Sequence, residues 1–422
     1  MSSISELPST REQTLADRYR LVRQFTDQIA EPLSAEDCMV QSMPDVSPIR
    51  WHMAHTTWFF ETFILANQGD HNAFDPQFNY LFNSYYNTIG KQFPRPQRGL
   101  ISRPGLSRIK EYRRAVDQQM MDLLTRPNLS QEVADAVLIG LNHEQQHQEL
   151  MLTDIKHVLS CNPTLPVYRP GSFADAWRPN QDWFEFEEGV YEIGAVDQFA
   201  FDNEFPRHRQ FLEPFGLASS PVNCGQYIEF IEAGGYQRPD HWLSLGWSTA
   251  EQQQWDAPLY WVRQDGEWRV YTLAGLVPVC PEWPVCHLSY FEADAFARWA
   301  GYRLPTEFEW EVASGQGAGN QFADPLWFNG QAIHPTCENG PSESIQQMMG
   351  TVWEWTSSSY AAYPGYTPPA GALGEYNGKF MCNQYVLRGG SVATRRDHIR
   401  TTYRNFFPPD ARWQFSGFRL AR

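Results

Sequence analysis

The chain has 422 residues, of which 42% are hydrophobic and 15% aromatic, so it can bury a sizeable core and is long enough for two or three domains. Its formal net charge of -16 makes nucleic acids and anionic membrane surfaces poor partners. Because it shows neither a basic leader followed by an apolar run nor a stretch of roughly 18 apolar residues, we expect a cytoplasmic protein without membrane contacts.

Helical periodicity marks the first part of the chain. The first predicted helix carries an apolar stripe with spacings of three and four, at Leu15, Tyr19, Val22, Phe25 and Ile29. The second starts at Ser47-Pro48, which we interpret as an N-cap followed by proline at the first helical position. We expect this helix to end at about Asn67.

Two more helices complete this part. The third follows Gly105 and stops before Pro127, because proline interrupts a helix interior. The fourth begins near Ser130 and continues to about Leu159. Four helices joined by loops predict a four-helix bundle, which we assign to residues 1–165.

The rest of the chain is dense in Trp, Gly and Pro. Residues 166–183 are proline-rich without a sustained period and predict a linker. Over 184–422, short apolar runs alternate with glycine turns, interrupted by one predicted helix from Tyr290 to Ala300. The predicted fold class is therefore α+β with two domains.

His143 and His147 lie four residues apart on the fourth helix. Residues at this spacing are displaced by only about 40° around the helix axis, so both imidazoles can face one point. Two neutral imidazoles supply half of a site for zinc, iron, copper or nickel. Two solvent-exposed histidines on a polar face are the competing interpretation.

A second histidine pair, His52 and His55, lies on the second helix among tryptophans and phenylalanines. A histidine in such surroundings is more often a hydrogen-bonded core residue than a ligand. Metal sites in bundles are nevertheless assembled from facing helices, which favours a ligand here. Helical geometry does not choose between the two residues.

The segment from His143 to His147 also matches the HExxH pattern of zinc metalloproteases, in which Glu144 would be the general base. The metzincin extension requires Gly at 150 and His at 153, where this chain has Leu150 and Thr153. A protease with a more distant acidic ligand remains an alternative.

The loop between the second and third helices carries Tyr85 and Tyr86, followed by Arg95 and Arg98. A phenol in a loop that folds over the metal could donate a proton during oxygen chemistry. An arginine fork fits a substrate carboxylate in bidentate fashion. Packing tyrosines and surface arginines are the competing interpretations. Aromatic residues near the C-terminus, which include Phe406, Trp413 and Phe415, form either core or a cage for a quaternary ammonium group.

Together these motifs resemble the sulfoxide synthases of ergothioneine biosynthesis over nearly the whole chain. The histidine motifs resemble a DinB-like four-helix domain. The second half resembles the formylglycine-generating-enzyme fold, which is related to C-type lectins, through a series of motifs in order: Pro221-Val222-Asn223-Cys224-Gly225-Gln226-Tyr227, Pro284-Val285-Cys286-His287-Leu288-Ser289, Arg303-Leu304-Pro305-Thr306-Glu307, Gly350-Thr351-Val352-Trp353-Glu354-Trp355, Arg388-Gly389-Gly390-Ser391 and Gly417-Phe418-Arg419.

The resemblance implies a non-haem Fe(II) enzyme with His55, His143 and His147 as ligands, which sets His52 aside. The implied reaction uses O2 to join a thiol sulfur to C2 of the hercynine imidazole and to oxidise that sulfur to a sulfoxide. Tyr85 and Tyr86 match a tyrosine pair found near iron in one subgroup, which makes either Tyr85 or Tyr86 the expected proton donor to the oxygen intermediate.

The substrate contacts that the resemblance implies are Gln146 beside the imidazole, Arg95 and Arg98 on the sulfur donor, and Asn405 with Phe406 on hercynine. Where enzymes using γ-glutamylcysteine have Asp, this chain has Phe407, so it is similar to the subgroup that uses cysteine. Other donors of the γ-glutamylcysteine, ovothiol or selenosugar type remain alternatives, as does a non-catalytic binding protein. The sequence leaves the oligomeric state open.

Overall fold

A computed structural model of the protein describes residues 14–422 except 70, 174–181, 197–198, 317–329, 338–343, 370, 372–373 and 375. Part of the predicted linker therefore lies outside the described residues. None of the described helices combines the length and the apolar composition that crossing a membrane requires.

The first part of the chain is helical. Its helices are α1 (Leu15–Ala30), α2 (Ile49–Phe63), the short α3 (Phe78–Phe82), α4 (Leu106–Leu124) and α5 (Gln131–Ser160). The predicted stripe of α1 is buried from Tyr19 to Ile29, and Ser130 caps α5 by accepting a hydrogen bond from the Val133 amide. The four predicted helices are thus confirmed as the four long helices of a bundle.

The structure corrects both ends of the second predicted helix. Pro48, not Ser47, is the N-cap residue, and its missing amide hydrogen leaves one fewer donor to satisfy there. Ser47 instead donates its backbone amide to Asp154, across the bundle. The α-helix ends at Phe63, and the segment up to Asn67 continues as one turn of 3₁₀-helix.

The second half carries small sheets between helices, and the predicted α+β class is confirmed. Its strands are β1 (Trp183–Phe186), β2 (Gly189–Ile193), β3 (His208–Leu212), β4 (Phe215–Ala218), β5 (Trp261–Gln264), β6 (Glu267–Thr272), β7 (Gly275–Pro278), β8 (Trp353–Ser359), β9 (Tyr385–Arg388), β10 (Asn405–Phe407) and β11 (Ser416–Gly417). The four-stranded sheet has the order β10-β9-β8-β11, with β8 and β11 parallel and the other neighbours antiparallel.

This half contains more helix than the sequence predicted. The predicted helix is present as α8 (Tyr290–Trp299), but three others were missed: α6 (Cys224–Glu232), α7 (Ser244–Gln253) and α9 (Glu307–Gln316). Each has only nine or ten residues, too few for a clear period. A start signal did exist for α6, because Asn223 and Gln226 form a reciprocal capping box.

Candidate metal centre and substrate cavity

Helices α2 and α5 bring three histidines together inside the bundle. One ring nitrogen from each of His55, His143 and His147 lies within 4.8 Å of the others. The spacing of four residues on α5 gives two of them a common direction, as predicted. His55 completes the cluster from α2, with its Nε2 atom 3.1 Å from Nε2 of His143. The structure therefore groups the three histidines that the resemblance selected.

The hydrogen bonds of this cluster suit a cation. His55 Nδ1 lies 2.6 Å from the carbonyl oxygen of Phe82, which can only accept, so Nδ1 carries the proton and Nε2 keeps its lone pair. That lone pair faces the Nε2 atom of His143 at 3.1 Å. A metal ion between the rings would coordinate both nitrogens. The donor set therefore fits a divalent metal.

Burial keeps these imidazoles neutral. It lowers the pKa of His143 to about 3, and it lowers the pKa of His55 and His147 well below the ordinary value, with the neighbouring His143 adding to both shifts. Neutral imidazole is the form that binds metal, because a protonated ring has no free lone pair. Protons therefore compete weakly for these nitrogens at neutral pH.

Glu144 does not point at the histidine cluster. It is fully buried on another side of α5, where it forms ion pairs with Arg23 at 2.8 Å and Arg113 at 3.2 Å, and accepts a hydrogen bond from Thr26 at 2.6 Å. Burial raises the pKa of this carboxyl, but Arg23 and Arg113 outweigh burial and hold the pKa below its ordinary value. A side chain held this way cannot act as the general base of a metalloprotease, so the structure does not support that alternative.

A cavity of about 440 Å³ opens next to the histidines and is lined by both halves of the chain. The helical half contributes, among others, Ser47, Trp51, Tyr85, Arg95, Arg98 and Gln146. The second half contributes, among others, Phe201, Tyr376, Tyr403, Asn405, Phe406 and Trp413. Its size suits small-molecule substrates.

Arg98 stands at the end of a column of stacked side chains that leads to the cluster. Its guanidinium lies 3.3 Å from the ring centre of Trp51, and Trp51 stacks on His55 at 4.6 Å. Trp58 also stacks on His55, with the ring centres 5.6 Å apart. Arg98 is 3% exposed and donates to the hydroxyls of two serines, Ser47 and Ser84. A cation so buried and bonded to neutral partners is well placed to bind an anion.

The other predicted arginine differs in its surroundings. Arg95 lines the same cavity but is exposed, and it donates to the backbone carbonyl of Asp45. The two arginines therefore lie at different depths of one wall.

The structure distinguishes the two predicted tyrosines. Tyr85 lines the cavity, with its ring 6.3 Å from that of Tyr376 and 5.3 Å from that of Phe380. Tyr86 is fully buried and packs against aromatic rings of α2, with its centre 5.0 Å from that of Phe63. Only Tyr85 of this pair is in a position to meet a substrate.

Gln146 belongs to a hydrogen-bonded chain that returns to its own helix. Tyr376 donates to Gln146 Oε1, and Gln146 Nε2 donates to the oxygen of Tyr403 at 2.5 Å. The Tyr403 hydroxyl lies 3.1 Å from His398 Nε2, whose Nδ1 is 2.9 Å from Asn142 Oδ1. Burial lowers the pKa of His398 well below its ordinary value, so the ring is neutral. Its Nδ1 donates to Asn142 Oδ1, and its Nε2 accepts from the Tyr403 hydroxyl.

Tyr376, Tyr403 and His398 were not predicted as site residues. They come from irregular segments with no period, and their contacts with α5 span more than 200 positions in sequence. The one signal available was the concentration of aromatic residues in this part of the chain.

The predicted residues near the C-terminus fall into two groups. Asn405, Phe406 and Trp413 line the cavity, and the Phe406 ring stacks on Tyr360 at 4.0 Å. Phe415 is fully buried behind the wall, with its ring 4.9 Å from that of His287, so the prediction that it contacts substrate has no support from the geometry.

One face of α5 is joined to the second half by polar contacts. Gln145 donates to Asp397 at 2.9 Å, and Lys156 Nζ lies 2.6 Å from His287 Nε2. Glu149 accepts three hydrogen bonds, from Trp353 at 2.7 Å, Ser391 at 2.5 Å and Thr394 at 2.8 Å. Burial raises the pKa of Glu149, and these bonds oppose the shift. The helix that carries two of the histidines is thus also the main support of the cavity.

Comparison with known proteins agrees with this two-part architecture. Residues 18–151 match the DinB superfamily, and residues 173–422 match the sulfatase-modifying factor enzyme 1-like domain. Hercynine oxygenase of Mycolicibacterium smegmatis is 31% identical over 97% of this chain and 98% of its own length. Hercynine oxygenase of Mycobacterium tuberculosis is 31% identical over 98% of this chain and 99% of its own length.

A fungal protein matches part of the chain. Ergothioneine biosynthesis protein 1 of Schizosaccharomyces pombe is 27% identical over 53% of this chain and 28% of its own length. The match to the two bacterial enzymes covers both domains. The chain therefore belongs to the hercynine oxygenase family and is an oxidoreductase.

Proposed function

We propose that the protein is an Fe(II)- and O2-dependent synthase that joins the sulfur of cysteine to C2 of the hercynine imidazole and forms the sulfoxide. The observation that carries the proposal is the convergence of three neutral imidazoles beside a cavity lined by a buried arginine. The membership of the chain in the hercynine oxygenase family supports the substrate, and places the reaction in ergothioneine biosynthesis.

The reaction balances with one molecule of O2. The C2–H bond of hercynine and the S–H bond of cysteine are broken, and a C–S bond forms. One oxygen atom becomes the sulfoxide oxygen, and the other leaves as water with the two hydrogens. Four electrons pass from the two substrates to O2, so no further reductant is needed.

His55, His143 and His147 would hold the iron. Bound there, Fe(II) would activate O2 and favour the thiolate form of the donor. Three neutral ligands bring no negative charge, so a thiolate would offset the charge of the metal. The proposed ligand set thus favours a substrate that supplies an anionic sulfur.

The cavity walls give each substrate a separate place. Arg98, with Arg95 nearer the surface, would bind the carboxylate of the sulfur donor. Gln146 would orient the hercynine imidazole, and Asn405 with Phe406 and Trp413 would contact its amino-acid end, where a trimethylammonium group favours aromatic faces. Tyr85 would donate a proton during oxygen reduction, because it lines the cavity and burial raises its pKa, which keeps it protonated.

Phe407 supports cysteine as the donor. It lines the cavity beside Asn405 and Phe406, and its apolar ring offers no partner for the additional polar groups of γ-glutamylcysteine. Competition between donors tests this choice.

The decisive experiment is anaerobic loading with Fe(II), followed by hercynine, cysteine and air, with O2 uptake and product mass measured together. We expect one O2 consumed for each hercynylcysteine sulfoxide formed. γ-Glutamylcysteine and a selenium donor are run in parallel, and His143→Ala is the matched control. Absence of hercynine-dependent O2 uptake with every donor would refute the proposal, and preference for another donor would refute the choice of cysteine.

A further inference from the structure

The second histidine of α2 is not part of the histidine cluster, yet it touches it. His52 is 2% exposed, and its Nδ1 atom lies 2.8 Å from Nδ1 of His147. Its other ring nitrogen, Nε2, lies 3.0 Å from Oδ2 of Asp154. Asp154 is also 2% exposed, and the same oxygen accepts the backbone amide of Ser47 at 2.8 Å. A buried carboxylate is thus connected to His147 through a second imidazole.

Donor and acceptor roles along this connection follow from chemistry. The Asp154 carboxylate accepts, so His52 Nε2 must carry a proton. In a neutral imidazole the other nitrogen is then an acceptor, so His52 Nδ1 accepts a hydrogen bond from His147 Nδ1. His147 therefore has its proton on Nδ1 and its lone pair on Nε2. The proton that His52 Nε2 donates to Asp154 therefore decides which nitrogen of His147 can bind metal.

We propose that His52 and Asp154 are positioning residues that fix the tautomer and the ring orientation of His147 as a metal ligand. His55 needs no such pair, because the Phe82 carbonyl performs the same task for it at 2.6 Å. Ligating histidines commonly donate their second N–H to a carbonyl or carboxylate, and loss of such a partner typically weakens metal binding 10- to 100-fold. In this protein the Asp154 carboxylate does not contact the ligand His147 directly but acts through His52.

Asp154 also ties the position of His147 to the start of α2. The Ser47 amide immediately precedes the Pro48 N-cap, and it shares the carboxylate oxygen with His52. Because His147 and Asp154 both lie on α5, seven residues apart, this contact brackets His52 between two points of one helix. The arrangement restrains the imidazole ring of His52 as well as its proton.

The test measures Fe(II) affinity anaerobically, by competition with a chromophoric chelator, together with the melting temperature of the metal-free protein. His52→Asn keeps an acceptor at the position of Nδ1. His52→Leu introduces a side chain of nearly the same shape as asparagine but without an acceptor. Asp154→Leu removes the oxygen that accepts from both His52 Nε2 and the Ser47 amide. Asp154→Asn is its control, because the amide oxygen can take the place of Oδ2 and accept from both groups. We expect His52→Asn and Asp154→Asn to bind within about threefold of wild type, and His52→Leu and Asp154→Leu to bind 10- to 100-fold more weakly.

A purely structural role predicts a different pattern. His52→Leu would then lower the melting temperature without a selective loss of affinity, or His52→Asn and His52→Leu would lose affinity equally. Either result overturns the proposal, as does Fe(II) affinity within threefold of wild type in Asp154→Leu, which decides the matter alone if His52→Leu does not fold. The inference rests on the metal centre of the proposed function. Wild-type protein that binds no Fe(II) refutes that centre, whereas tight binding unchanged in the variants refutes only the positioning role.

Discussion

The side-chain amide of Gln146 donates a hydrogen bond of 2.5 Å to the phenol oxygen of Tyr403, although 257 positions separate the two residues in sequence. The Tyr403 hydroxyl in turn faces His398 at 3.1 Å. This contact fixes which way round the amide of Gln146 lies, because an amide oxygen in place of its nitrogen would face an oxygen. A residue of the helical domain is thus oriented by the other domain.

Tyr403→Phe should therefore weaken hercynine binding. The change leaves Gln146 Nε2 without its acceptor and frees the amide to turn, at a cost of about 1–1.5 kcal/mol for one hydrogen bond. We expect KM for hercynine to rise about tenfold in steady-state assays, with a smaller effect on KM for cysteine. Tyr302→Phe, a partly exposed tyrosine packed on Trp183, is the matched control. Unchanged hercynine KM in Tyr403→Phe would show that the amide is oriented by other contacts.

Tyr85→Phe and Tyr86→Phe form a natural pair, because only Tyr85 lines the cavity. We expect Tyr85→Phe to lower kcat by about 10²-fold, in the range of general acid catalysis, with little change in melting temperature. Tyr86→Phe, deep among the rings of α2, should keep kcat within about threefold. Rapid-quench product analysis and thermal melting measure the two effects. A larger loss of kcat in Tyr86→Phe would reverse the assignment.

Arg98→Lys should raise KM for the sulfur donor more than Arg95→Lys does. Lysine keeps the charge but lacks the planar fork that stacks on Trp51 and reaches two serine hydroxyls. We expect an increase of at least tenfold for the buried Arg98 and less than about threefold for the exposed Arg95. Donor titrations at saturating hercynine measure both values. Equal effects would mean that depth in the wall does not matter.

Lys156 gives the protein a predictable response to alkaline pH. Burial lowers the pKa of Lys156 to about 8, from an ordinary value of 10.5, and no ion pair joins it to a carboxylate among the described residues. A folded-state pKa below the unfolded one makes the contribution of this group to stability complete above about pH 10.5. The contribution is lost as pH falls through about 8.

The free energy of unfolding of wild type should therefore rise relative to that of Lys156→Met between pH 8 and 10.5. The shift of the pKa corresponds to about 3 kcal/mol over the whole window. Urea unfolding at several pH values measures the difference. Lys110→Met, at an exposed position on α4, should run parallel to wild type. A constant difference between wild type and Lys156→Met would contradict the prediction.

The two domains were not equally predictable from the sequence, for physical reasons. The spacing of His143 and His147 on one helix is a local property, so their common direction was predictable. The choice of His55 over His52 was not, because it depends on how α2 crosses α5, and it came from the resemblance. The structure places both residues at the metal centre: His55 is part of the histidine cluster, and His52 is hydrogen-bonded to His147.

The cavity wall from the second domain was the hardest part to foresee. Asn405 and Phe406 were recognised through a motif, whereas Tyr376 and His398 reach α5 from irregular segments that no periodicity describes. Glu144 is the opposite case. Its motif suggested a catalytic base, but its ion pairs with Arg23 and Arg113 depend on side chains from two other helices, which the motif does not include.

The polar face of α5 has a consequence for how such proteins can be recombined. Gln145, Glu149 and Lys156 find their partners in the second domain, so a bundle produced alone would leave these side chains to water and lose the far wall of its cavity. A chimera with the second domain of a relative would need a matching α5 as well. Substrate preference and metal binding both depend on this helix, so one cannot be exchanged between relatives without the other.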